Sequence, residues 1–240
     1  MNNNAKPVIS VSGLTVAFSR WGSEVTALDN VSLTIPSGQW AVLTGPNGSG
    51  KSTLLKAMSG RIKPKQGTIN LNGFDVAQNS QRMLSAHVFH IQQDPLLGTA
   101  PILTVFENLV VADEDALDSK VSKKQLTAKY LEMLRPLDLH ERLKQPVKTL
   151  SGGERQLISI LIARLRPAPL ILLDEPLAAL DPKNSKMCLE EIANLNKIGK
   201  TLIYVTHNEE HAQSLGHRTI LLASGKIVKD EARRNVTDTV

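Results

Sequence analysis

The run Gly45-Pro46-Asn47-Gly48-Ser49-Gly50-Lys51-Ser52-Thr53 fits the pattern G-x-x-x-x-G-K-[ST]. The glycines of such a run let the backbone bend until successive N–H groups face one centre. The helix that follows adds the partial positive charge of its N-terminus. A triphosphate suits that cradle, with Lys51 reaching the β- and γ-phosphates and the Ser52 hydroxyl ligating Mg²⁺. The pattern requires a strand before it and a helix after it. The apolar stretch Trp40–Thr44 reads as a buried strand, and Ser52–Gly60 as a helix. A chance match would leave Gly48 and Gly50 as an ordinary loop.

A second run, Leu170-Ile-Leu-Leu-Asp174-Glu175, is an apolar strand ending in two carboxylates. The strand end would deliver Asp174 beside the phosphate loop, where it holds Mg²⁺ through water. Glu175 lies one residue further on and points differently, so it could orient and polarise an attacking water. Alone, two acids after a strand read as a solvated turn or a helix cap. Together with the loop at 45–53 they read as nucleotide machinery.

The elements that must position these groups alternate in type. Strands are expected at 8–18 and 27–35, a hairpin strand at 68–73 and a further strand at 87–92. From 93 to 167 the spacing is helical, at 107–112, 121–134 and 153–165, punctuated by Pro95, Pro101, Pro136 and Pro146. Strands return at 170–174, 201–206 and 219–223, with helices at 183–197 and 208–215 between them. Buried strands alternating with helices predict an α/β core on a mostly parallel sheet. The expected organisation is one domain over 1–240, with a core at 8–92 and 168–230 and a helical insertion at 93–167.

Composition narrows the classes. The 240 residues are 41% hydrophobic and 21% charged, which fits a globular chain and excludes a disordered or collagen-like one. Apolar runs such as Leu170–Leu173 fall far short of the roughly 20 residues that span a bilayer. The polar start, Met1-Asn-Asn-Asn4, does not read as a secretory signal, so a cytoplasmic chain is expected. The single cysteine, Cys188, excludes an internal disulfide and reads as a small apolar helix residue. The net charge of +5 comes from Lys and Arg spread along the chain. It suits a solvated surface and a phosphate site better than a nucleic-acid partner.

Leu150-Ser151-Gly152-Gly153-Glu154-Arg155-Gln156 resembles the signature motif of ATP-binding-cassette proteins, usually LSGGQ. The other motifs follow in that family's order, and the resemblance runs from about Val8 to Asp230. Ser151 offers a hydroxyl, and Gly152-Gly153 expose N–H groups at a helix start, a second phosphate-binding surface. The same residues would also form an ordinary N-cap with Glu154 completing a capping box, and both readings can hold together.

The resemblance implies a P-loop NTPase core of RecA-like type, with an antiparallel β subdomain and the inserted helical subdomain. It implies ATP and Mg²⁺, and a head-to-tail pair of copies in which Ser151, Gly152, Gly153 and Glu154 of one face the nucleotide of the other. Gln93 resembles the junction glutamine that contacts Mg²⁺ and the attacking water, with Gln92 as its neighbour and competitor. Asp181, in Ala179-Leu180-Asp181, resembles the loop that communicates between subunits; without the family, Asp181-Pro182 reads as a helix start. His207 resembles the histidine that contacts the γ-phosphate and orients Glu175. Phe18 sits where the family's adenine-stacking ring usually falls, and Trp21 is its competitor.

Some positions depart from the usual pattern. Glu154 replaces a glutamine, and Leu157 and Ile162 stand where many members carry arginines. The stretch Gln93-Asp-Pro-Leu-Leu-Gly-Thr-Ala-Pro101 is similar to a smaller group of amino-acid importers of tryptophan/tyrosine type. The implied function is the ATPase subunit of a bacterial importer, peripheral on the inner face of the membrane. Its partners would be separate transmembrane permease subunits, a second copy of itself and a solute-binding protein, with no nucleic acid. The rival is a soluble cassette protein acting on ribosomes or DNA, which usually has two cassettes or a long coiled-coil arm. A guanine-specific N-K-x-D motif is absent, since Asn196-Lys197 is followed by Ile198-Gly199.

Overall fold

A computed structural model describes residues 6–20, 22–118 and 120–233. In chain order the elements are β1 (Pro7–Arg20), β2 (Ser23–Pro36), β3 (Trp40–Thr44), α1 (Lys51–Met58), β4 (Gln66–Leu71), β5 (Phe74–Asp75), α2 (Gln81–Leu84) and β6 (Val88–Ile91). Then come α3 (Val105–Ala112), α4 (Lys123–Leu134), α5 (Gly152–Leu165), β7 (Leu170–Asp174), α6 (Pro182–Lys197), β8 (Thr201–Val205), α7 (Glu209–Ser214), β9 (Arg218–Ala223) and β10 (Lys226–Ala232). They divide into two compact units. Among the described residues, one comprises those within 6–90, 168–175 and 198–233; the other comprises those within 91–167 and 176–197. The return from the helical region was expected at 168. In the structure 176–197 also groups with the helices, because α6 packs against α5.

The first unit contains two sheets. A four-stranded sheet in the order β2-β1-β4-β5 is antiparallel throughout. A six-stranded sheet runs β10-β9-β3-β8-β7-β6, with β9, β3, β8 and β7 mutually parallel and β10 antiparallel to β9. This is the expected fold class. The interior strands β7 and β8 are buried along their whole length. A parallel strand covered on both faces has no solvent side, so its sequence is continuously apolar. One core joins the two sheets through α1: Leu54, Leu55 and Met58 pack with Leu14, Leu28 and Ile35 and with Leu43, Leu172, Val205 and Leu222.

Register sets where the strands end. Leu43 of β3 pairs with Val205 of β8, and Val205 pairs with Asp174 of β7. Three neighbouring parallel strands therefore finish level with one another. The ladder runs one step further on each side, with Thr206 N–H donating to Leu43 O at 3.2 Å and Glu175 N–H to Val205 O at 3.2 Å. The loops that leave these strands emerge side by side.

The second unit is built on α5, whose Leu157, Ile158, Ile160, Leu161, Ile162 and Ala163 are all buried. It packs against α3 and α6. Leu157 and Ile162, which stand where many members of the resembled family carry arginines, both lie in this core. Cys188 is fully buried on α6, and burial, with Glu191 and Asp181 nearby, pushes its thiol up to about 12. It is a packing residue, as expected. No helix among the described residues is long and apolar enough to cross a membrane.

Candidate functional site

The phosphate loop joins β3 to α1. Its glycines have left-handed backbones, with φ of 144° at Gly45, 77° at Gly48 and 105° at Gly50. Two of them are also in close contact. A Cβ on Gly45 would lie 2.0 Å from the carbonyl oxygen of Leu222, and one on Gly50 would lie 2.6 Å from that of Ala27. Gly225 N–H donates to Ser49 O at 3.0 Å, so the β9–β10 turn supports the loop from behind. The turn Ser224-Gly225 was the available sequence signal for this hairpin, and β10 was not anticipated.

Gly50 stands at the N-cap of α1 and brings no side-chain cap. The first N–H groups of α1 therefore face the loop without a side-chain acceptor, which favours an anion. Lys51 is buried, and its Nζ donates to Gly45 O at 2.8 Å and to Pro46 O at 3.0 Å. An ammonium has three protons, so one remains for a ligand. The Ser49 hydroxyl is buried with no hydrogen-bond partner. A buried orphan hydroxyl is costly unless something else pairs with it. These observations fit a bound polyphosphate. Thr53 follows within the first turn of α1.

Beside the loop, the Ser52 hydroxyl donates to Asp174 Oδ1 at 3.1 Å. Burial raises the Asp174 carboxyl above the ordinary aspartate value. Its bond from Ser52 opposes this, Glu175 adds to it, and Lys56 and Lys51 oppose it. Two hard oxygens at this spacing suit Mg²⁺, which takes one or two protein ligands and fills its octahedron with water and phosphate oxygens. Glu175 follows with φ of 50°, a left-handed backbone that is strained for a residue with a side chain. Its Oε2 lies 3.0 Å from His207 Nδ1, at the end of the next strand. His207 is mostly exposed and Glu175 largely covered. A cleft of about 640 Å³ opens beside the loop, lined in part by Thr44, Gly45, Pro46, Asn47 and His207. Phe18, on β1, presents a ring that is 40% exposed. Its competitor Trp21 lies outside the described residues.

In the helical unit, Ser151 is the N-cap of α5. Its Oγ accepts from Glu154 N–H at 3.2 Å, and Glu154 Oε2 accepts from Ser151 N–H at 2.7 Å, a complete capping box. Arg142 Nε donates to Glu154 Oε1 at 2.9 Å, a partner that sequence reasoning missed. Burial raises the Glu154 carboxyl, but the Ser151 N–H and Arg142 outweigh it and hold the group below the ordinary glutamate value. Ser151 and Gly152 are exposed and Gly153 is buried. Asp181 caps α6, with Oδ1 accepting from Asn184 N–H at 3.0 Å. Gln93 is an exposed residue just after β6, and Gln92 is half-buried beside it.

Thus Gly45–Thr53, Asp174, Glu175 and His207 are gathered in one unit, and Ser151–Glu154, Asp181 and Gln93 belong to the other.

The family and the fold recur among known proteins. The ABC transporter family matches residues 28–178. A tyrosine transport ATP-binding protein of Clostridioides difficile is 36% identical over 96% of this chain and 95% of its own length. The arabinose import ATP-binding protein AraG of Azospirillum brasilense is 38% identical over 92% of this chain, which spans 41% of that protein. Among solved structures, an ATP-binding cassette seen as a dimer in a post-hydrolysis state with ADP and Pi superposes with a TM-score of 0.82. It is 27% identical, and the match covers 95% of this chain and 99% of that one. The chain belongs to the ABC transporter family, as an ATP-hydrolysing cassette.

Proposed function

We propose that this chain is the ATPase subunit of a membrane importer, and that two copies close head to tail around two Mg²⁺-ATP. The observation that carries the reading is the level ending of β3, β8 and β7. It sets an uncapped helix N-terminus, the Ser52–Asp174 pair and the Glu175–His207 pair side by side.

In this reading Gly45, Asn47, Gly48, Ser49, Gly50 and Thr53 border the triphosphate, and Lys51 donates its remaining N–H in a hydrogen bond to the β- and γ-phosphate oxygens. Ser52 and Asp174 hold Mg²⁺, and Gln93 is assigned to it by the resemblance alone. When bound, Mg²⁺ neutralises charge on the β- and γ-phosphates. Glu175 accepts a hydrogen bond from the attacking water and takes its proton as the water oxygen bonds to the γ-phosphorus. The bond from that phosphorus to the bridging oxygen breaks, and ADP and phosphate leave. His207 holds the Glu175 carboxylate in place through the 3.0 Å contact. Ser151, Gly152, Gly153 and Glu154 of one copy face the γ-phosphate of the other, with Asp181 at the junction between copies. Phe18 stacks on adenine.

The relative named for arabinose import supports an import role, and the one named for tyrosine transport supports an amino acid as the solute. The partners are separate permease subunits and a solute-binding protein, with the cassette on the inner face of the membrane and the helical unit carrying motion to the permease. Glu175→Gln tests the reading. The variant should bind ATP and accumulate as a dimer in sizing experiments, while hydrolysis falls by about 10²-fold or more. Hydrolysis near the wild-type rate would overturn the assignment of Glu175.

A further inference from the structure

The two glycines of the signature turn differ in a way that their sequence does not reveal. A Cβ on Gly152 would meet nothing within 4 Å. A Cβ on Gly153 would lie 2.5 Å from Asn184 Cγ, 2.6 Å from its Nδ2 and 2.9 Å from its Cβ. Gly153 is an ordinary helical residue of α5, outside the set of positive-φ glycines. Its backbone therefore gives no reason for a glycine, which costs a helix about 1 kcal/mol relative to alanine. The close approach of Asn184 does give one.

Asn184 is itself held on its other side. Its Nδ2 donates to Asp181 Oδ2 at 2.5 Å, and its backbone N–H donates to Asp181 Oδ1 at 3.0 Å. These bonds hold the Asp181 carboxyl below the ordinary aspartate value. Asn184 also lines a cleft of about 350 Å³ with Ser151 and Glu154. One side chain thus touches both the signature turn and the Asp181 loop.

We infer that Asn184 is a positioning residue for ATP hydrolysis: it locks the turn carrying Ser151–Gly153 to the Asp181 loop, and Gly153 is glycine to admit it. The inference rests on the reading that both segments meet a second copy. Two segments that must reach one partner together need a fixed mutual spacing, and small errors in such spacing cost closure on the partner and rate rather than ATP binding by one copy. Asn184 contacts neither nucleotide nor reacting atoms in this scheme. Its effect belongs in kcat and in ATP-dependent dimer formation.

The test is a double-mutant cycle on the purified full chain, with Gly153→Ala, Asn184→Gly and the pair. Asn184→Gly should lower kcat about tenfold and leave KM for ATP within about twofold, the pattern of an interaction that adds nothing to ATP binding by one copy. Gly153→Ala should lower kcat at least as far, because its methyl group displaces Asn184. The pair should hydrolyse ATP no more slowly than Asn184→Gly alone, since the methyl group then has nothing to displace. Losses that multiply would overturn the inference, because Gly153 would then act independently of Asn184. Asn184→Ala, with ATP-dependent dimerisation followed by sedimentation in the Glu175→Gln background, gives a readout apart from turnover. A merely structural cap would lower the melting temperature and leave the folded protein's dimerisation and kcat unchanged, which would also overturn the inference. ATP affinity of the monomer should be the same in all variants. If the parent protein binds no ATP, the proposed function fails, and that outcome is distinct from a failure of the cycle.

Discussion

Two glycine-rich turns precede helices in this chain, and they are built in opposite ways. The turn before α1 has left-handed glycines, an N-cap with no side-chain oxygen and a buried lysine folded over it. The turn before α5 has helical glycines and a complete capping box between Ser151 and Glu154. In the first, the helix N-terminus lacks a side-chain cap, so the loop is an anion site on its own. In the second, a side chain already satisfies one N–H of the helix, and Arg142 balances the carboxylate that caps it. A turn partly capped within its own chain is a weaker anion site by itself. It can complete a site whose other parts come from elsewhere, which fits a surface that acts on a second copy.

The largest expected effect breaks the first turn and spares the second. Lys51→Ala removes the buried ammonium from the loop carbonyls of Gly45 and Pro46. ATP affinity of the monomer should fall at least about tenfold and hydrolysis by about 10²-fold or more, as calorimetric titration and phosphate release would measure. Ser151→Ala should leave that monomer affinity unchanged and act only on turnover. Equal losses of affinity in the two variants would end the contrast between the turns.

A second comparison uses glycine. Gly45→Ala forces a Cβ to within 2.0 Å of the Leu222 carbonyl at a φ of 144°. It should destabilise the fold by about 2 kcal/mol or more in urea unfolding, since backbone must move. Gly152→Ala places its Cβ in open space on a helical backbone. It should hold or raise stability, by up to about 1 kcal/mol, while lowering ATP turnover because the methyl group covers exposed N–H groups. A stability loss at Gly152 matching that at Gly45 would show the two turns to be equally constrained by their own chain.

The contrast also bears on what could be read before the structure. The strands Trp40–Thr44, Leu170–Asp174 and Thr201–Val205 were legible because burial on both faces makes them continuously apolar. Strand β10 was not, because almost every residue from Lys226 to Ala232 is exposed and four of its seven residues are Lys, Asp or Glu. The phosphate loop was legible because its chemistry is local, four fixed positions between Gly45 and Ser52 where one strand passes into one helix. What closes behind it was not, since Leu222 and Gly225 come from far along the chain. The left-handed backbone of Glu175 leaves no trace in composition. Asn184 and Arg142 were missed for the same reason: each matters only once α5 and its neighbours are packed, and neither belongs to a motif.

The smallest effects distinguish the two regions by the sign of their pH dependence. Asp174 beside the phosphate loop has its carboxyl raised, chiefly by burial. A raised carboxyl binds its proton more tightly in the folded than in the unfolded chain. Its stabilising contribution is complete below the unfolded value and disappears as pH rises through the folded one. Glu154 in the signature turn is lowered, because the Ser151 N–H and Arg142 outweigh its burial. Its contribution is complete above the unfolded value and disappears as pH falls through the folded one. At neutral pH, without nucleotide or Mg²⁺, Asp174→Asn should therefore raise the melting temperature and Glu154→Gln lower it, each by a few degrees at most. Scans from neutral pH downward should show the Asp174→Asn difference closing first, as pH falls from the raised folded value to the unfolded one, and the Glu154→Gln difference closing later, as pH falls from the unfolded value through the lowered folded one. The same sign of shift in both variants at neutral pH would mean that the two turns do not differ electrostatically. The contrast would then rest on backbone geometry alone.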